Sequence, residues 1–441
     1  MVYFLGIIGG YSQAKVKKNA TKQTAAKKKT VTPKADSVVI APSATREARV
    51  AYYRKVQNEY VNIYLSSPLH KDTEKDWMKA FDGIMKTGFR SSLSTNRLHY
   101  AFADITNRTV AFQESLLSLL CASYPVEFEE EVRSLMNNTT TLRVFAFCVE
   151  YLLLNQKDNQ SISFFNSLLD QKMSSESNNP IFRFLKQKLE DKRVFQTPPL
   201  KDLLKYDFIK NNIVLFSIQR KNRDFPGLLL IRTEDGKFLR NADNSIFWVQ
   251  QSAKSITGLP FYFNEGNTPQ GIYRLGGIET VKDEFVGPTP AIKLLLPYEA
   301  KPSTFIPIVK DTAAGWLSTY YRSMLPASWI FYEPIYESYY VGMAGRRGIR
   351  AHGSTLNPEY YAGKPWYPLT LFTGSLTTKE LWDDKTGARF ESDQQKLIDA
   401  ILKLSKRVGY FVVVEINDKE EPVNIKELEN ILQNIDAGIK Q

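Results

Sequence analysis

The hydrophobic pattern changes period at "VFQTPPLKDL", around Pro198 and Pro199, and this change limits the fold more than any other feature. Upstream, apolar residues recur at three- and four-residue spacings in "REARVAYYRKVQNEYVNIYL", "KDTEKDWMKAFDGIMK", "TVAFQESLLSLLCASY", "TTTLRVFAFCVEYLLLNQ" and "SISFFNSLLDQKM". That spacing lays an apolar stripe along each helix, and Asn, Thr or Pro breaks separate the segments, so 45–195 reads as an all-helical domain. Downstream the runs are short, β-branched and aromatic: "NNIVLFSIQ", "GLLLIRTEDGKFL", "SIFWVQQS", "LPFYFNEG", "GIYRLGGIET" and "AIKLLLPY". Turn signals such as "EDG", "NEGNTPQG" and "GPTP" lie between them, which predicts a mainly antiparallel sheet domain over 205–416. Within it "SDQQKLIDAILKLSKR" predicts a helix and "GYFVVVEIN" a strand, and "NIKELENILQNIDAGIK" makes 417–441 a C-terminal helix. The expected fold class is α+β: an N-terminal all-helical domain followed by a mainly β domain with flanking helices.

Charge is concentrated in one tract. The chain carries a net +11, but 15–34, "KVKKNATKQTAAKKKTVTPK", holds eight lysines and no acid, leaving +3 for the other 421 residues. The body is therefore nearly balanced and no nucleic-acid partner is expected for it. The tract has no apolar face to bury, so 15–44 reads as a disordered linker; a nucleic-acid arm is the rival reading. Before it, "MVYFLGIIGGYSQA" has an apolar stretch far too short to span a bilayer, with Ser12 and Ala14 placed as at a signal peptidase site. Residues 1–14 read as the remnant of a signal peptide, with an ordinary strand as the alternative, and the expected location is the periplasm or cell envelope. No later run is long enough for a transmembrane helix. Cys121 and Cys148 sit in apolar helical runs and read as inert core thiols, with a disulfide left open. His70 and His99 each stand alone, no metal-ligand spacing exists, and no cofactor is expected.

Three stretches of the second domain carry chemistry. "NTPQGIYRLGG", 267–277, turns sharply through Pro269 and Gly271 into a strand. "GMAGRRGIRAHGSTLNPEYYAG", 342–363, alternates apolar and polar residues up to His352 and then Gly353. "LFTGSLTTKELWD", 371–383, places Ser375 directly after Gly374 and 23 residues after His352. A histidine at a strand end and a small nucleophile after a glycine are the parts of nucleophilic acyl transfer: the imidazole takes the proton and backbone N–H groups hold the oxyanion. In the same last stretch Thr377 and Glu380 fit a capping box, which predicts a helix start. "GWLSTYYRSMLPASWIFYEPIYESYYVG" is dense in aromatic residues and reads either as a cleft wall with phenol handles or as an aromatic core.

Taken together, the three stretches resemble the L,D-transpeptidase catalytic domain, the YkuD-like family, over about 205–415. The family's Thr-Pro-x-Gly-x-[Phe/Tyr] turn is matched by Thr268, Pro269, Gly271 and Tyr273, its His-Gly pair by His352 and Gly353, and its nucleophile segment by Gly374 and Ser375. The resemblance implies a β-rich domain that cuts a peptidoglycan stem peptide and passes the acyl group to an amine or to water. His352 would be the general base, Ser375 would stand at the nucleophile, and the amides around Gly374 and Ser375 would form the oxyanion hole. Gly353, Thr373, Tyr340, Arg347 and Arg350 are the candidate substrate contacts, and Arg346 joins the arginines as a charge for substrate carboxylates.

The departure is at the nucleophile itself. The family uses cysteine, whose thiol becomes a thiolate readily beside histidine, whereas a serine hydroxyl needs a well-oriented base. Leu376 and Thr377 also follow where the family often has a polar or basic residue. Ser375 is then an engineered replacement of a native cysteine, a mark of a natural non-catalytic relative, or the nucleophile of a true serine enzyme, ranked last because a thiol site rarely converts by one substitution. The alternative function is a catalytically silent module that holds peptidoglycan or a cell-wall partner.

Overall fold

The computed structural model describes residues 38–190 and 195–438. The expected signal remnant of 1–14 and most of the 15–44 linker lie outside these residues.

Eight helices form the N-terminal region: α1 (Arg46–Lys55), α2 (Glu74–Thr87), α3 (Ser92–Phe102), α4 (Val110–Ser123), α5 (Glu129–Asn138), α6 (Leu142–Leu152), α7 (Asn159–Met173) and α8 (Pro180–Glu190). Helix α1 runs on as a π-helical segment, Val56–Tyr64. Helix starts are chemically specified. The side chains of Thr45, Thr109 and Asp158 accept from backbone N–H groups in the first turns of α1, α4 and α7, and Ser91 and Ser94 form a reciprocal box on α3. Gly88 closes α2 in the left-handed conformation. Helices α3, α5 and α8 fall within the 45–195 stretch expected to be helical, between and after the five quoted segments.

After α9 (Leu200–Leu204) come β1 (Ile213–Gln219), β2 (Gly227–Arg232), β3 (Trp248–Ser252), β4 (Gly271–Glu279) and β5 (Ala291–Leu295). Three short helices follow, α10 (Pro302–Phe305), α11 (Ser318–Arg322) and α12 (Glu337–Met343). Then come β6 (Arg350–His352), β7 (Leu376–Thr378), β8 (Glu380–Trp382), β9 (Arg389–Ser392), α13 (Asp393–Lys403), β10 (Gly409–Glu415) and α14 (Lys426–Gly438). Eight strands close a barrel in the order β1-β10-β4-β5-β6-β7-β3-β2, and β8 and β9 form a separate two-stranded sheet. Barrel neighbours are antiparallel except β1 with β10 and β6 with β7, which are parallel. Helix accounts for 43% and strand for 15%, so the chain as a whole is a mixed helix and strand fold with an N-terminal helical region and a closed barrel.

The barrel strands separate two apolar layers by simple alternation. On β1 and β10, Ile213, Leu215, Phe411 and Val413 face one layer, while Val214, Phe216, Val412 and Val414 face the other with Trp329, Ile335, Leu428 and Leu432. Both faces are covered, which is why these strands read as unbroken apolar runs. The first layer continues into the helical region, where Phe147 of α6 meets Phe263 at 4.0 Å between ring centroids. The hydroxyl of Tyr262 donates to buried Glu150, which also pairs with Lys188. At the other end Arg49 of α1 pairs with Asp384, 2.6 Å away, beside the β8–β9 hairpin.

Two local expectations are corrected. "LPFYFNEG" is a chain of turns and not a strand: Phe263 N–H donates to Pro260 O and Gly266 N–H to Phe263 O, so its backbone bonds are spent locally, and Pro260 has no donor for a ladder. Thr377 and Glu380 do not start a helix. They lie in β7 and β8, where the Thr377 hydroxyl donates to Thr370 O at 2.6 Å, because tertiary pairing with β3 and β6 outweighs the local capping pattern. Of the aromatic stretch, Tyr321, Trp329 and Tyr339 are buried as core, and Tyr336 and Tyr340 are half-buried at its edge.

Candidate active site

Strands β6 and β7 pair in parallel with Ala351 opposite Leu376 and His352 opposite Thr377. Ala351 and Leu376 belong to the apolar layer, so His352 and Thr377 point to the other face, and Ser375 lies in the bend that leads into β7. The strand pairing thus sets His352 on β6 and Ser375 at the entry to the neighbouring β7. Arg350 N–H lies 3.3 Å from Ser375 Oγ and donates to it.

Both glycines are required by space. At Gly353 an added Cβ would stand 2.0 Å from the carboxylate of Glu380. At Gly374, where φ is +81°, it would stand 2.6 Å from Arg346 Nη2 and from Asn264 O. The Gly374 carbonyl accepts from the Thr268 hydroxyl and from Arg346 Nη2, each at 3.1 Å. One residue from each of the three chemically suggestive stretches therefore meets at this carbonyl. The Gly374 N–H donates to Phe372 O at 3.2 Å, which turns it away from the oxyanion role expected for it.

His352 is 3% exposed, and its ring meets that of Phe372 edge-on at 4.5 Å between centroids. Nδ1 lies 2.6 Å from Gly353 O; donating that proton leaves the lone pair on Nε2. Burial pushes the imidazole down to about 4, against the pull of the Gly353 carbonyl and with a further push from Arg350, so it is neutral at neutral pH.

The arginines are committed to the protein. Arg346 is buried and its guanidinium donates to the carbonyls of Phe261, Gly266, Asn267 and Gly374, which removes it from the substrate-charge role. Burial lowers its pKa to about 10. Arg347 donates to Gly342 O, Arg346 O and Tyr298 O, and Arg350 pairs with Glu279 at 2.6 Å. Thr373 is half-buried between Phe372 and Gly374. Tyr340 is not at this site: it lies on α12 against Phe184 of α8, with the Arg183 guanidinium 4.9 Å above its ring. The preceding turn is tied down separately, by Gln270 N–H to Glu337 Oε2 at 2.7 Å and Tyr273 Oη to Pro269 O at 2.6 Å.

No family model, no curated protein and no solved structure matches this chain. Its site is therefore read from its own geometry. Among the described residues no group of His, Cys, Asp and Glu is placed to hold a metal ion. Cys121 and Cys148 are free thiols, and burial raises the pKa of both.

Glu380 is the residue that sequence reasoning assigned elsewhere. Its Oε1 accepts from the hydroxyls of Thr289 and Ser392, each at 2.5 Å, and its carboxylate backs the His352-Gly353 turn. Nothing in "LTTKELW" distinguishes it from a surface acid; only the closing of β8 onto β9 buries it. Burial raises its carboxyl to about 7 from 4.5, against the opposing pull of the two hydroxyls. The folded chain thus keeps a proton that the unfolded chain releases, so this contribution to stability is full below about pH 4.5 and is lost as pH rises through 7. His352 works in the opposite sense: with a folded value near 4 against 6.5, its contribution is present above pH 6.5 and lost as pH falls towards 4. Glu380→Gln, neutral at every pH, is expected to be close to wild type at pH 5 and more stable by about 1–3 kcal/mol at pH 8. Urea unfolding at the two pH values measures this, and a difference that does not change with pH would show that Glu380 is ionised in the fold.

Proposed function

We propose that the barrel, as the mainly β unit of an L,D-transpeptidase-like protein, carries an acyl-transfer site for peptidoglycan stem peptides and acts in the cell envelope after export. The observation that carries this reading is the register of β6 and β7, which pairs His352 with Thr377, two residues after Ser375, while Arg350 N–H reaches the Ser375 hydroxyl. In this scheme Nε2 of His352 takes the proton of residue 375, Nδ1 stays anchored on Gly353 O, and the attacked carbonyl is placed against backbone donors around Ser375. Thr268 and Arg346 support it by holding the Gly374 carbonyl and with it the direction in which Ser375 is presented.

A second reading, a silent module that binds stem peptides without turning them over, is favoured by one specific contact. The Ser375 hydroxyl is engaged by Arg350 N–H, and His352 is buried against the Phe372 ring. Incubating the native chain with isolated muropeptides and following products by mass spectrometry separates the two. Cross-linked or trimmed stem peptides support transfer by Ser375; saturable binding without products supports the silent module. Absence of binding and products with both the native chain and the Ser375→Cys variant overturns both readings.

A further inference from the structure

The aromatic stretch that did not join the active site borders a different cavity, at the junction of α8 with α11 and α12. It has a volume of about 580 Å³ and is lined by Arg183, Arg322, Phe331, Tyr336, Tyr340 and Thr319 among others. That is the size of a small organic ligand and far larger than a lone ion.

Its charges are unevenly satisfied. Lys186 on the wall is held between Asp170 and Glu190, the latter 2.7 Å away, and so is neutralised locally. Glu333 accepts from the neutral Gln187 amide at 2.8 Å and so keeps its charge, one carboxylate against the two arginines of the wall. Arg183 and Arg322, by contrast, have no carboxylate within ion-pair distance among the described residues. Each is instead held over an aromatic ring, Arg183 over Tyr340 at 4.9 Å and Arg322 over Phe331 at 5.3 Å. Stacking on a ring fixes a guanidinium plane while leaving its N–H edge free to bind a planar oxyanion through two bonds. Phe331 is itself 80% exposed, an unusual cost for a phenyl ring and a platform for a second flat group.

We propose that this cavity is a binding site for an organic oxyanion, a carboxylate or phosphate carried on a ring, gripped by Arg183 and Arg322 and stacked on Phe331. The site is independent of the acyl-transfer reading. It sits between the helical region and the barrel-side helices, so its ligand would touch both parts of the chain.

Isothermal titration of the full chain with phenyl phosphate, phenylacetate, inorganic phosphate and phenol tests this. The aryl oxyanions are expected to bind, with phenol and inorganic phosphate at least about tenfold weaker because each lacks one of the two contacts. A preference for phenyl phosphate or for phenylacetate identifies the phosphate or the carboxylate source. Arg183→Ala and Arg322→Ala are each expected to weaken binding about tenfold, and Arg→Lys at either position to recover only part of it, since lysine keeps the charge but not the fork. Phe331→Ala should abolish the advantage of the aryl ligands over inorganic phosphate. All three positions are exposed, so circular dichroism should show an unchanged fold. No heat with either aryl oxyanion, or binding unaffected by removing both arginines, overturns the proposal.

Discussion

Ser375→Cys is expected to raise the rate of covalent capture by a carbapenem at least about 100-fold over the native chain, measured by intact-protein mass. The reason is acidity. A hydroxyl reaches the nucleophilic state only by handing its proton to a base during attack, whereas a thiol with a free pKa of about 8.5 already supplies a few per cent thiolate at neutral pH. The surroundings add to this. Arg350 N–H, now donating to the serine oxygen, would favour a thiolate, and the neutral His352 is free to accept a proton at Nε2. Because His352 titrates near 4, the reaction should show no inflection at the ordinary histidine value and should rise with pH as the thiol ionises. Adding His352→Ala to the cysteine variant should remove about 100-fold of the rate. A variant whose thiol is modified by iodoacetamide but ignores both carbapenem and muropeptides would sink the acyl-transfer reading, because access and nucleophilicity would then be present without the site.

Arg346→Met is expected to cost about 3–5 kcal/mol of stability in urea unfolding, more than any surface arginine of this chain. Arg346 is 1% exposed and its guanidinium closes onto four carbonyls, at Phe261, Gly266, Asn267 and Gly374, of which the last alone keeps a second side-chain donor, Thr268. The methionine fills much of the volume, so the loss reports the hydrogen bonds and not a cavity. Since one of those carbonyls belongs to Gly374, amide exchange of Leu371 to Thr377 should quicken as well. A loss below about 1 kcal/mol would mean that Thr268 alone holds the turn.

Much of the fold was legible because period and burial agree. The amphipathic stripes of α2 and α13, and the apolar runs of β1, β2 and β10, state their own geometry. Legibility failed where a residue's partner is remote in sequence. Thr377 and Glu380 match a helix cap as well as any local pattern does, yet β7 is claimed by β3 and β6, and Glu380 by Thr289 and Ser392. Arg346 reads as a free charge in a loop until the turns of 259–268 fold over it. Tyr340 reads as a cleft residue, and it is one, but of a cleft that α8 builds from the other end of the chain.

By itself the sequence determined which residues have the chemistry for acyl transfer and where the chain must turn sharply: His352 followed by Gly353, Ser375 preceded by Gly374, and the Thr268–Gly271 turn. These are properties of single side chains and of backbone freedom, and they need no neighbour. The tertiary structure decided which of them meet and in what state. Parallel pairing set His352 on the strand beside the one that Ser375 leads into, Thr268 and Arg346 converged on one carbonyl, and burial left the imidazole neutral. Distance, desolvation and hydrogen-bond partnership are properties of pairs far apart in the chain, and only folding brings such pairs together.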